Sequence, residues 1–247
     1  MRLPRMDRLW PRILFKPTRH VIACRKLERR LDHLQLWGAL QGDGEAPELL
    51  VLRLLGARGR AELATLDPVD RIPEISAQVW TLNPPSFGGS VGTLTFQHYL
   101  DATLRAFDYL REVWPTVPVW VYGKSIGTCG ALHIAANRHP SAVVLKNVLS
   151  VPDLLARRMP VAVGRWLAPS GSDLCALSLR AQCKALFVVS KGDNLSPATM
   201  QHRVIDAYAG RAHVLEVEGD HDDAALSAAD APRYRDAIAR LWRSHSS

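Results

Sequence analysis

Ser125 stands in Gly123-Lys124-Ser125-Ile126-Gly127, a Gly-x-Ser-x-Gly run that directly follows the apolar stretch Val119-Trp120-Val121-Tyr122. A serine on a sharp strand-to-helix turn is held with its hydroxyl clear of the backbone, where it can attack a carbonyl carbon. Such a turn crowds the positions two residues to either side, and Gly123 and Gly127 carry no Cβ to collide. A serine hydroxyl is a weak nucleophile until a base takes its proton, and the base must be oriented by a third group. Asp193, in Ser190-Lys191-Gly192-Asp193-Asn194, and His221, in Gly219-Asp220-His221-Asp222-Asp223, supply the missing types in the chain order serine, acid, histidine. Each also has a plainer reading. Gly-Asp-Asn is good turn chemistry, and a histidine among acids suits an exposed loop. Asp153 is the second candidate for the acid. The chemistry implied is acyl transfer, with a tetrahedral oxyanion held by two backbone N–H groups. The donors are assigned to Ile126, which opens the helix after the serine, and to Ala57 in Leu55-Gly56-Ala57-Arg58-Gly59-Arg60. Gly123-Lys124-Ser125 also matches the end of a phosphate-binding loop. That loop needs a glycine five positions before Gly123, and residue 118 is proline, so the nucleotide-binding reading fails.

Such residues work only if secondary structure brings them to one place. Residues 35–40, 49–55, 77–82, 119–122, 142–149, 185–190 and 213–218 read as strands, several of them as unbroken apolar runs. Helices are expected at 95–114, where Leu100, Leu104, Phe107 and Leu110 share one face, and at 126–138, 199–209 and 231–243. Residues 150–180 read as irregular. Apolar strands alternating with helices predict an α/β fold whose mostly parallel central sheet is covered on both faces. In such sheets ligands bind beyond the carboxyl ends of the strands, and Ser125, Asp193 and His221 each follow a strand.

Composition bounds the alternatives. Apolar residues make up 47% of the 247-residue chain and charged residues 22%, a balance that excludes disordered and fibrous classes. A chain of this length suits one α/β domain that needs neither disulfide nor metal to fold. The formal charge of +7 is unevenly spread: residues 1–30 hold ten basic and two acidic side chains, while the rest hold 21 and 22. We therefore divide the chain into a basic N-terminal extension, 1–30, and a single domain, 31–247. The extension is suited to an acidic partner or anionic lipid, or simply to water; no specific nucleic-acid binding is predicted. Its apolar stretches are interrupted by proline and arginine and never reach the core of a signal peptide, and no window reaches the length of a transmembrane segment. Cys24, Cys129, Cys175 and Cys183 show no metal-ligand spacing, so no metal or other cofactor is expected. Four scattered thiols point to a cytoplasmic protein.

Val121-Tyr122-Gly123-Lys124-Ser125-Ile126-Gly127-Thr128 resembles the nucleophile elbow of small α/β-hydrolases of the serine aminopeptidase-like and acyl-protein-thioesterase-like group. Asn83-Pro84-Pro85-Ser86-Phe87-Gly88-Gly89-Ser90-Val91-Gly92 is similar to that group's segment after the fourth strand, and the loops around Asp193 and His221 are similar to its acid and histidine loops. The resemblance spans roughly residues 49–240. It implies the α/β-hydrolase fold with a minimal or absent lid, and a serine hydrolase acting on a small-molecule ester or thioester through Ser125, Asp193 and His221. Two departures stand out. Leu55-Gly56 replaces the group's usual His-Gly, and Pro84-Pro85-Ser86 replaces a usual Arg-Gly pair. They leave open an aminopeptidase-type hydrolase and a non-catalytic binding protein on the same fold. Residues 157–167 suit either a small apolar cap with a basic edge or an ordinary crossover helix.

Overall fold

In a computed structural model of the chain, which describes residues 13–42, 46–223 and 226–244, eight strands form one sheet. They are β1 (Leu27–Leu31), β2 (Leu34–Gln41), β3 (Leu49–Leu54), β4 (Ala77–Asn83), β5 (Val119–Lys124), β6 (Ala142–Lys146), β7 (Lys184–Ser190) and β8 (Ala212–Val217). Their spatial order is β1-β2-β4-β3-β5-β6-β7-β8. Pairing is antiparallel for β1–β2 and β2–β4 and parallel elsewhere, so the expected mostly parallel sheet is present.

The longer helices are α1 (Phe96–Val113), α2 (Gly127–Asn137), α6 (Ala198–Asp206) and α7 (Asp230–Arg243). Thr95 caps α1 by accepting a hydrogen bond from the His98 amide, and Pro115 prevents its continuation. Side chains alternate across the central strands and build two cores. Val119, Val121 and Phe187 face α1, α2 and α6 in one, whereas Trp120, Tyr122 and Leu186 face α7 in the other.

Three sequence boundaries need correction. β6 ends at Lys146 rather than at 149, because Asn147 takes a left-handed φ of 53° that breaks the extended run; Val148 and Leu149 stay buried without being strand. Residues 150–180 contain three short helices, α3 (Val151–Ala156), α4 (Val161–Leu167) and α5 (Leu174–Ser178), each too brief to show a helical period clearly. The boundary between an extension and the domain at residue 30 falls inside β1. Leu14 and Phe15 are buried, and the Phe15 ring contacts those of Phe87 and Tyr99. β1 carries no strand signal in the sequence because it is a charged edge strand, Leu-Glu-Arg-Arg-Leu, held by backbone pairing to β2 without an apolar pattern of its own. The first twelve residues of the basic segment lie outside the described residues.

Candidate active site

β5 ends at Lys124 and α2 begins at Gly127, so the chain must reverse within two residues. Ser125 does this with φ 55°, a conformation that L side chains rarely adopt and that marks the strained turn expected from its sequence. The turn is pinned from outside: the Ser125 amide donates to the Lys146 carbonyl at 3.0 Å, and Thr128 Oγ1 donates to the Ser125 carbonyl at 2.6 Å. A Cβ on Gly127 would lie 2.3 Å from the Leu54 carbonyl oxygen, and one on Gly123 would lie 2.8 Å from the Gly127 carbonyl. Both glycines are therefore demanded by close backbone approach.

The two other predicted side chains converge on Ser125. His221 Nε2 lies 2.7 Å from Ser125 Oγ, and His221 Nδ1 lies 2.6 Å from Asp193 Oδ2. An ionised carboxylate can only accept, so Nδ1 carries the proton and Nε2 is the acceptor facing the serine hydroxyl. Asp193 is held in turn: its Oδ1 accepts from the amides of Leu195 and Ser196 at 2.9 and 2.7 Å, and its Oδ2 accepts from Gln201 Nε2 at 3.3 Å. All three side chains are buried. Asp153, the other candidate acid, is instead paired with Arg203 at 2.7 Å.

Two positioning residues had no role in the sequence reading. Asn147, fully buried, donates from Nδ2 to the His221 carbonyl at 3.1 Å and accepts the Ser190 amide on Oδ1 at 3.0 Å, tying the histidine loop to the end of β7. Gln201, on α6, donates to Asp193 and Ser196 and accepts from the Val148 amide. A polar residue inside the apolar run 142–149 was a signal for Asn147; Gln201 lies on an otherwise ordinary amphipathic helix and gave none.

Lys124, which prompted the phosphate-loop comparison, points elsewhere. Its Nζ donates to the carbonyls of Asp222 and Asp223 at 3.4 and 3.5 Å, and Lys146 Nζ reaches the Asp223 carbonyl at 3.4 Å. Burial lowers the pKa of both lysines, and for Lys146 the neighbouring Lys124 charge adds to it. Both brace the backbone beyond His221.

The loop after β3 runs beside the serine, where a Cβ on Gly56 would stand 3.6 Å from Ser125 Cβ. Gly59 donates to the Gly56 carbonyl at 2.9 Å, closing the turn that contains Ala57. The carbonyl of Ala57 accepts the Lys16 amide at 2.8 Å. The segment around Phe15 thus lies against this loop, and Phe15, Leu55, Gly56 and Gly59 line one small apolar cavity. Ile126 is the first residue of the turn into α2. Ile126 thus directly follows Ser125 at the start of α2, and Ala57 directly follows Gly56, whose position stands beside the serine.

No protein-family model matches the sequence, and no curated protein matches it. The fold is shared with solved structures. Est1E from Butyrivibrio proteoclasticus, solved with ferulic acid bound, is 14% identical with a TM-score of 0.70 over 88% of this chain and 99% of its own. The Pyrococcus furiosus esterase Pf2001 is 12% identical, with a TM-score of 0.71 over 95% of this chain and 98% of its own. XC6422 from Xanthomonas campestris, described as an α/β serine hydrolase without a lid, is 14% identical with a TM-score of 0.61 over 93% and 96%. The sheet order, the elbow between β5 and α2, and this likeness together identify the chain as an α/β-hydrolase-fold protein.

Proposed function

We propose that the protein is a serine hydrolase that cleaves an ester or thioester through an acyl-enzyme. The observation that carries this reading is the short chain of contacts Ser125 Oγ–His221 Nε2–Asp193, at 2.7 and 2.6 Å. In the first half-reaction His221 takes the Ser125 proton as Oγ bonds to the substrate carbonyl carbon. The carbonyl oxygen gains the negative charge, which the amides of Ile126 and Ala57 stabilise. Collapse of this intermediate breaks the bond to the alcohol or thiol, which leaves with the proton from His221. Water then repeats the sequence on the acyl group, with His221 again the base, and the acid is released. Asp193 keeps the imidazole in the tautomer that accepts from serine and favours the imidazolium once it forms.

The esterase and the serine hydrolase among the similar solved structures support the same class of chemistry. A fluorophosphonate probe and a series of p-nitrophenyl esters of increasing chain length test the proposal together. The wild type is expected to form one adduct at Ser125 and to turn over at least one ester, and Ser125→Ala is expected to lose both. Ester turnover that survives in Ser125→Ala would assign the wrong nucleophile, and a folded wild type that neither labels nor turns over any ester would favour a binding protein.

A further inference from the structure

Most short helices bury their apolar side chains; α4 does the reverse. Successive residues turn by about 100° around a helix, so Val161, Ala162, Val163 and Trp166 of α4 share one broad face. That face is open to solvent, with Val161 57%, Val163 43% and Trp166 62% exposed. The inward side is formed by the buried Gly164, whose missing Cβ lets the helix approach Ala156 and Leu155 of α3, and by Leu167, packed on the core. The outward side therefore carries Val161, Ala162, Val163 and Trp166, and position 165, an arginine in the sequence, falls within the same arc.

Charge says what it suits. Between Asp153 and Asp173 there is no acidic residue, while Arg157, Arg158 and Arg165 lie in the same stretch. Arg157 Nη1 donates to the carbonyls of Asn194 and Leu195 at 2.7 and 3.1 Å, which fastens this region to the loop that carries Asp193. Leu195, in that same loop, is itself 41% exposed. A second copy of the chain seated on this face about a two-fold axis would set the arginine-bearing, acid-free stretch against its own image, a like-charge contact. An anionic lipid surface has the opposite sign, and tryptophan with aliphatic neighbours and flanking arginines is the composition that settles at the lipid–water boundary.

We propose that α4, with Trp166 at its centre, is a docking face for an anionic lipid surface, which would bring the Asp193 side of the site against that surface. The test is flotation of the full chain with vesicles of phosphatidylglycerol and, separately, of phosphatidylcholine. The wild type is expected to float with phosphatidylglycerol vesicles and to bind phosphatidylcholine more weakly. Trp166→Ser should weaken phosphatidylglycerol binding roughly tenfold, as loss of one apolar anchor implies, and Trp166→Phe should restore most of it. Residues 1–30 are unchanged in these variants, so the difference reports on α4. Thermal melting of Trp166→Ser should match the wild type, because the side chain is already exposed. Three outcomes would overturn the proposal: no flotation of the wild type, flotation of Trp166→Ser equal to the wild type, or a dimer that Trp166→Ser dissolves in the absence of vesicle binding.

Discussion

His221 is oriented from both ends: Asp193 accepts from its ring, while Asn147 donates to its backbone carbonyl. Asn147 does this from a left-handed conformation that asparagine tolerates better than most residues. Asn147→Ala would strand the Ser190 amide and the His221 carbonyl inside the protein, at about 1–3 kcal/mol for each unsatisfied group. Urea denaturation is expected to register a loss of that order, and ester kinetics a fall in kcat with little change in KM. Asn147→Gly keeps the backbone freedom but not the hydrogen bonds. If glycine restores the rate, conformation rather than the His221 tether is what Asn147 supplies.

At the scale of elements, the segment before β1 braces the loop after β3. Lys16 contributes a main-chain N–H to the Ala57 carbonyl, so its side chain is incidental and its amide is the part that counts. Lys16→Ala should leave turnover unchanged, whereas Lys16→Pro removes the donor and is expected to lower kcat about tenfold, the effect of a small misplacement at a reacting centre. Equal rates in the two variants would remove the loop from the account. The same segment is tied down by Arg60, which donates to Thr18 Oγ1 and the His20 carbonyl and forms a buried bidentate pair with Glu62. Burial pushes the Glu62 carboxyl up, but hydrogen bonds from Arg60 and Asn83 outweigh it and hold the pKa below the usual carboxylate value of 4.5. Glu62 therefore binds fewer protons folded than unfolded as the pH falls below 4.5. Its stabilisation is complete above that pH and is lost as the pH drops through the lowered folded value. Urea midpoints measured from pH 6 down to about pH 3 should fall with acidification, and Glu62→Gln should flatten that fall. The variant should also be less stable at neutral pH, because it leaves the buried Arg60 without its counter-ion.

For the whole molecule, one sheet is shared by two cores, so neither layer can come apart alone. Trp120 is fully buried toward α7 and Phe187 is fully buried on the opposite face. Trp120→Ala and Phe187→Ala should each cost about 3–5 kcal/mol and lower Tm by roughly 10 °C at this chain length. Near- and far-UV circular dichroism should report one coincident transition in both variants. Separate transitions would mean that the two faces melt independently.

The features legible in the sequence are those that one stretch of chain decides for itself. An apolar run closed by Gly123 and followed by Ser125, a helical period over 95–114, and acid and histidine just beyond strand ends each rest on local sterics and periodicity. They were enough to anticipate the parallel sheet and the three side chains that meet at its edge. The tertiary structure alone decided what depends on distant partners. β1 exists because β2 offers an edge, Phe15 is buried because Phe87 and Tyr99 leave it a place, and Gln201 reaches Asp193 only once α6 packs beside β7. Asn147 belongs with these: it ends β6 early, and its side chain joins β7 to the His221 loop 74 residues further along the chain. A hydrogen bond across that separation leaves no period in the sequence. It acquires its effect when the fold removes water from both of its ends.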